Sequence, residues 1–123
     1  MDDEKKRILI VDDDPAYAMM VRTWIKESYR ADVVTGGMQA IRFLSRNPVD
    51  LILLDYEMPS VDGPQVLQML REDPLTKDIP VVFLTGVGEK DSIDHVLALN
   101  PSGYLPKATT RVDLLNYLKE KCA

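Results

Sequence analysis

Asp12 and Asp13, Asp55, Thr85 and Lys107 each stand where a short apolar run stops. Ile8-Leu9-Ile10-Val11 runs into the two adjacent carboxylates and Leu51-Ile52-Leu53-Leu54 into Asp55. Val81-Val82-Phe83-Leu84 runs into Thr85, and the weaker Gly103-Tyr104-Leu105-Pro106 into Lys107. Three carboxylates in one place repel each other unless a cation joins them. With Lys107 beside them, a negative excess remains that one divalent cation balances. Such oxygen donors suit Mg²⁺, which takes one or two carboxylates, keeps several waters and accepts phosphate oxygens. No loop has the ligand spacing of a calcium-binding helix–loop–helix, and one His and one Cys cannot build a zinc cluster. A carboxylate next to a metal, a hydroxyl and a fixed ammonium can attack phosphorus while the cations neutralise the equatorial oxygens and the hydroxyl donates a hydrogen bond. Taken singly, an Asp pair after a strand is a turn former, a Thr there a helix cap and a Lys a surface charge. Four strand ends of five closing on such residues have no comparable structural explanation.

The elements that must gather these groups follow from the same runs. Short stretches rich in Leu, Ile and Val read as strands buried on both faces, the mark of a parallel sheet, whose strands all end on one edge. Strand and helix patterns alternate five times. Asp14-Pro15 is an N-cap with proline at the first helical position. Tyr17, Met20, Val21, Trp24 and Ile25 then recur at helical spacing, which predicts a helix through about Tyr29. Asp32 to Thr35 reads as a second strand, and Gly36-Gly37 precedes a helix carrying Met38, Ile41 and Leu44. Asp62 and Gln65 are spaced as a capping box for a helix with Val66, Leu67 and Leu70 inward. Residues 72–79 form a polar connection, residues 89–99 a fourth helical pattern, and Thr110 to Asp113 a further cap. That cap opens a last helix with Val112, Leu114, Leu115 and Leu118.

Runs one, three and four are the most continuously apolar and belong in the middle of the sheet. Runs two and five are more polar and suit its edges. Right-handed crossovers then predict a doubly wound α/β fold, (βα)₅, with strand order 2-1-3-4-5. The switch point between strands one and three would hold Asp12, Asp13 and Asp55 in one crevice.

The 123 residues are 46% apolar and 28% charged, a globular balance for one domain over 1–123. A net charge of −5 argues against direct nucleic-acid binding by this segment. The lone cysteine, Cys122, excludes an internal disulfide and reads as a free thiol at a frayed end, in keeping with a reducing, cytoplasmic compartment. The charged N-terminus, followed by only four apolar residues, fits neither a signal peptide nor a membrane span.

The chain resembles the receiver domain of bacterial two-component response regulators over roughly residues 6 to 121. The matching motifs are Ile8-Leu-Ile-Val-Asp12-Asp13-Asp14-Pro15, Asp50-Leu-Ile-Leu-Leu-Asp55-Tyr-Glu-Met-Pro59, Val61-Asp62-Gly63, Pro80-Val-Val-Phe-Leu-Thr85 and Gly103-Tyr-Leu-Pro-Lys107. The resemblance implies a flavodoxin-like fold and a phosphoacceptor signalling domain rather than an enzyme with its own substrate, though one that assists its own phosphorylation and dephosphorylation. It implies that Asp55 accepts a phosphoryl group from a histidine kinase or phosphotransfer protein. Asp12, Asp13, Asp55 and the backbone carbonyl of Glu57 would hold Mg²⁺, with Mn²⁺ able to substitute, and Asp12 would act largely through water. Thr85 and Lys107 would bind the phosphoryl group, and Thr85 and Tyr104 would act as the switch. The surface of the fourth helix, fifth strand and last helix would then meet an output domain, a target protein or a second copy of the chain.

Two residues depart from the family pattern. Ala108 follows Lys107 where proline with a cis bond is usual, and Gly86 follows Thr85 where alanine is commoner. Glu57 and Val87, two residues after the acceptor and after the threonine, would flank the path of a hydrolytic water. Val87 cannot orient that water, which implies slow self-dephosphorylation. Two alternatives compete with this reading. A haloacid-dehalogenase-like phosphatase would use Asp12 and Asp14, but Ala16 stands where that motif wants Thr or Val. A degenerate receiver without phosphorylation would lack elements that are all present here.

Overall fold

The computed structural model describes residues 5–86 and 100–122. Five strands form one parallel sheet: β1 (Arg7–Val11), β2 (Arg30–Val34), β3 (Leu51–Asp55), β4 (Val81–Thr85) and β5 (Gly103–Pro106). Four helices are described: α1 (Pro15–Ile25), α2 (Gly37–Leu44), α3 (Gly63–Glu72) and α4 (Arg111–Lys121). The helical pattern at 89–99, with His95, lies outside the described residues, as does Val87. The strand order is β2-β1-β3-β4-β5, as the apolar runs predict. The three central strands are buried almost throughout, while β5 alternates between half-buried and exposed positions. No helix among the described residues is long and apolar enough to cross a membrane.

The sheet separates two cores, because neighbouring strand residues point to opposite faces. Leu9, Val11, Ile52, Leu54, Val81 and Phe83 pack on one face with α2 and α3 residues such as Ala40, Val66 and Leu70. Ile8, Ile10, Leu51, Leu53, Val82 and Leu84 pack on the other with Ala18, Val21 and Ile25 of α1 and Leu114 and Leu118 of α4. At about 25 cal/mol per Å² of apolar surface removed from water, this two-sided burial is what holds the strand ends in register.

Local signals set the helix starts. The Asp14 carboxylate accepts from the Ala16 and Tyr17 backbone N–H groups at 3.0 and 3.3 Å, with Pro15 at the first helical position. The capping box at Asp62 and Gln65 forms in full, with both bonds at 2.9 Å. Thr110 caps α4 by accepting from the Asp113 N–H at 3.1 Å.

Several expectations are corrected. α1 stops at Ile25, not near Tyr29, because Ser28 and Tyr29 N–H groups both turn back onto the Ile25 carbonyl. The chain must reverse there so that β2 can start at Arg30, opposite Arg7, two residues earlier than the polar pattern places it. Met20 is 38% and Val112 60% exposed, so neither belongs to the inner stripe; Trp24 is half-buried against the core. Cys122 is not at a frayed end. It caps α4 and packs on the second core, and burial pushes its thiol pKa up. The isomer of the Lys107–Ala108 bond, which the sequence leaves open, is trans, as are all described peptide bonds.

Candidate functional site

The register of the sheet brings the strand ends together. Asp12 follows β1 directly and donates its backbone N–H to Val34 O at 3.1 Å, which carries the β1–β2 pairing one residue further. Asp55 ends β3 opposite Leu84, and Thr85 ends β4 opposite Pro106. The Lys107 N–H donates to Thr85 O at 2.8 Å, which fixes the lysine one residue past β5. Gly63 lets the loop after β3 fold back over this edge. A Cβ there would sit 2.5 Å from the Asp55 carbonyl oxygen and 3.0 Å from the Phe83 ring, so a larger residue has no room. The Gly63 N–H then donates to Tyr56 O at 3.0 Å.

Asp12, Asp13 and Asp55 each offer a carboxylate oxygen, and these atoms lie within 4.8 Å of one another. Asp12 and Asp55 are buried, at 0% and 2% exposure, whereas Asp13 is exposed and faces solvent. The Lys107 ammonium bridges the two buried groups, 2.9 Å from Asp12 Oδ2 and 3.2 Å from Asp55 Oδ1. Asp12 Oδ1 accepts from the Asp14 N–H at 2.9 Å. Asp55 Oδ2 is buried with no hydrogen-bond partner. An ionised buried oxygen without a donor is costly.

Electrostatics record the same crowding. The Asp55 carboxyl is pushed up to about 7, first by burial, then by the negative charge of Asp12 and by Asp13, with Lys107 pulling the other way. Lys107 is itself raised: burial opposes its charge, but the bonds and attraction from Asp12 and Asp55 together outweigh that. One ammonium therefore does not compensate three carboxylates. An all-oxygen donor set with an unpartnered oxygen and a residual negative charge fits a hard divalent cation.

A cleft of about 490 Å³ opens beside the triad, lined by Asp13, Tyr56, Glu57, Met58, Pro59 and Asp62. Glu57 is thus at the mouth of the site, and buried Met58 anchors its loop in the first core. The Thr85 hydroxyl donates across the sheet to Leu105 O at 3.4 Å, a long bond that leaves it free to turn. Tyr104 does not end its strand; it pairs with Phe83, two residues before Pro106, and is 44% exposed. The Asp14 carboxylate is taken up by capping α1, so the residue that the dehalogenase-like alternative needs as its acid/base is engaged elsewhere. Tyr17, which the helical stripe marks only as an inward residue, reaches the site. Its hydroxyl donates to the Lys107 carbonyl at 3.0 Å and its ring lies 5.0 Å from the Lys107 ammonium. Its phenol pKa is raised, chiefly by burial, so it remains a neutral donor. Position alone gives the available signal: an aromatic residue in the first turn of the helix that follows the Asp pair.

Comparisons with known proteins agree with this architecture. The family model described as response regulator receiver domain matches residues 8–119. The phosphate regulon transcriptional regulatory protein PhoB of Pseudomonas aeruginosa is 32% identical over 93% of this chain and 50% of its own length. The DNA-binding response regulator MtrA of Mycolicibacterium smegmatis is 37% identical over 80% of this chain and 42% of its own. The chain spans half or less of the length of these curated relatives. Among solved structures, the receiver domain of the sensor histidine kinase PA1611 from Pseudomonas aeruginosa, described with a magnesium ion coordinated in its active-site cleft, has a TM-score of 0.86. It is 26% identical, with 96% of this chain and 98% of that one covered.

Proposed function

Because this chain belongs to the response regulator receiver domain family, we propose that it accepts a phosphoryl group on Asp55 from a phosphohistidine donor and changes its partner-binding surface in response. The observation that carries this reading is Asp55 itself. It is a buried carboxylate with one oxygen against the Lys107 ammonium and the other without a partner, next to Asp13, which lines an open acidic cleft. Asp13, Asp55 and the Glu57 carbonyl, with Asp12 largely through water, would hold Mg²⁺ or Mn²⁺. That ion supplies charge neutralisation for the incoming phosphoryl oxygens.

The chain's own groups do the rest. An Asp55 oxygen forms the new bond to phosphorus as the donor's phosphorus–nitrogen bond breaks, and the imidazole leaves with the electron pair. Lys107, already 3.2 Å from Asp55, neutralises an equatorial oxygen. Thr85 gives up its 3.4 Å bond to Leu105 O and donates to another phosphoryl oxygen, which costs little because the bond it leaves is long. Movement of Thr85 vacates space beside β5, and the exposed Tyr104 ring rotates into it. The face formed by β5 and α4 then presents a different surface to an output domain, a target protein or a second copy of the chain.

The bound phosphoryl group is an acyl phosphate, and that gives the test. The protein is incubated with a labelled phosphohistidine donor and Mg²⁺, then treated with hydroxylamine. Label that transfers and is released by hydroxylamine fits Asp55 as acceptor; label that resists it points to a hydroxyl residue and refutes the reading. For the switch, a phosphoryl mimic should move backbone resonances from residue 85 to residue 118 as well as those near Asp55. Changes confined to the neighbourhood of Asp55 would contradict it.

A further inference from the structure

Lys107 is a long, flexible cation that must face the same point in space whether it meets a carboxylate or a phosphoryl oxygen. Its backbone N–H is fixed by Thr85 O at 2.8 Å. Its carbonyl is fixed from a distant part of the chain, by the Tyr17 hydroxyl at 3.0 Å across 90 residues of sequence. The same tyrosine lays its ring 5.0 Å from the ammonium, which still reaches Asp12 at 2.9 Å and Asp55 at 3.2 Å. The residue that follows, Ala108, imposes no ring constraint on the turn. Tyr17 in turn is held by the first turn of α1, where its N–H bonds the Asp14 cap at 3.3 Å, and by partial burial against the second core.

From these contacts we infer that Tyr17 is the positioning residue for Lys107, clamping its carbonyl and flanking its ammonium so that the charge faces the phosphoryl group. The inference rests on the phosphoacceptor reading. The Tyr17 hydroxyl has one proton and gives it to the Lys107 carbonyl, not to a carboxylate, so the clamp acts through Lys107. Loss of the clamp lets the lysine sample other rotamers, and binding of a phosphoryl group weakens while binding of the bare cation does not.

The test uses the full chain and titrates beryllofluoride, a phosphoryl mimic, at saturating Mg²⁺ by calorimetry. Tyr17→Phe, which removes only the hydroxyl, should weaken the mimic about threefold, one net hydrogen bond. Tyr17→Leu, which also removes the ring, should weaken it about tenfold. Affinity for Mg²⁺ alone should stay within about twofold of wild type in both, since Tyr17 is uncharged and donates its proton to Lys107 rather than to a carboxylate. In a Lys107→Ala background, Tyr17→Leu should cause no further loss. Wild-type mimic affinity in Tyr17→Leu, or the same loss with and without Lys107, would overturn the inference. If Tyr17→Leu does not fold, Tyr17→Phe with and without Lys107→Ala carries the same comparison. Failure of wild type to bind the mimic would refute the phosphoacceptor reading itself, and the positioning role with it.

Discussion

Replacing Asp55 by asparagine in the metal-free protein removes one of three crowded carboxylates at nearly constant volume, and the result should be a more stable domain. The folded state holds the Asp55 carboxyl up at about 7, against an ordinary value of 3.8, mainly through burial and then through Asp12. A folded pKa above the unfolded one means that stability is present in full below the unfolded value and is lost as pH rises to the folded value. At 1.36 kcal/mol per unit, Asp55 therefore lowers stability by about 2–3 kcal/mol between pH 5 and pH 8 as an upper bound. For a domain of this size that is roughly 10 °C in Tm. The assay is urea or thermal unfolding in EDTA at both pH values. Wild type should be markedly less stable at pH 8 than at pH 5, and Asp55→Asn should lose most of that difference and exceed wild type at pH 8. Saturating Mg²⁺ should restore wild type at pH 8 and help Asp55→Asn little. If Asp55→Asn is no more stable than wild type at pH 8 in EDTA, or shows the same pH slope, the carboxylates do not crowd each other as the geometry implies.

Gly63→Ala should destabilise the fold by about 1–3 kcal/mol and weaken Mg²⁺ binding, because the added Cβ meets the Asp55 carbonyl at 2.5 Å; denaturant melts and a Mg²⁺ titration check it. Arg71 ties α3 to three carbonyls, those of Lys77 and Ile79 at 3.0 Å and Asn100 at 3.2 Å. Arg71→Ala should cost about 1–3 kcal/mol and raise amide exchange over residues 73–80 ahead of the rest of the sheet. Val87→Glu should speed loss of phosphate from the phosphorylated protein by roughly tenfold, less than a full general base supplies, as followed by intact mass over time. An unchanged or slower rate would remove Val87 from the account.

The sheet was legible in the sequence because buried parallel strands need uninterrupted apolar runs, and the three strongest runs had to be central. Asp12, Asp13, Asp55, Thr85 and Lys107 were legible for the same reason, since each closes a run and parallel strands close on one edge. The caps at Asp14 and Asp62 follow local rules and formed as read. What periodicity does not carry is where a helix yields to the next strand. α1 ends at Ile25 because β2 must reach Arg7, a tertiary demand with no mark in the stripe itself. Nor does it say which stripe residue finds a polar partner. Tyr17 reads as one more inward aromatic, and only the packing of α1 on the folded sheet sets its hydroxyl against Lys107, 90 residues away in sequence. Cys122 misleads in the same way, because position near the end of the chain says nothing about burial once α4 packs on the sheet.

The central claim is that Asp55 is the phosphoryl acceptor and needs a divalent cation to be one. Intact mass after incubation with acetyl phosphate tests it most directly, with wild type and Asp55→Asn each in Mg²⁺ and in EDTA. Wild type in Mg²⁺ should gain the mass of one phosphoryl group, and the other three samples should gain none. A gain that survives Asp55→Asn, or that persists in EDTA, would contradict it.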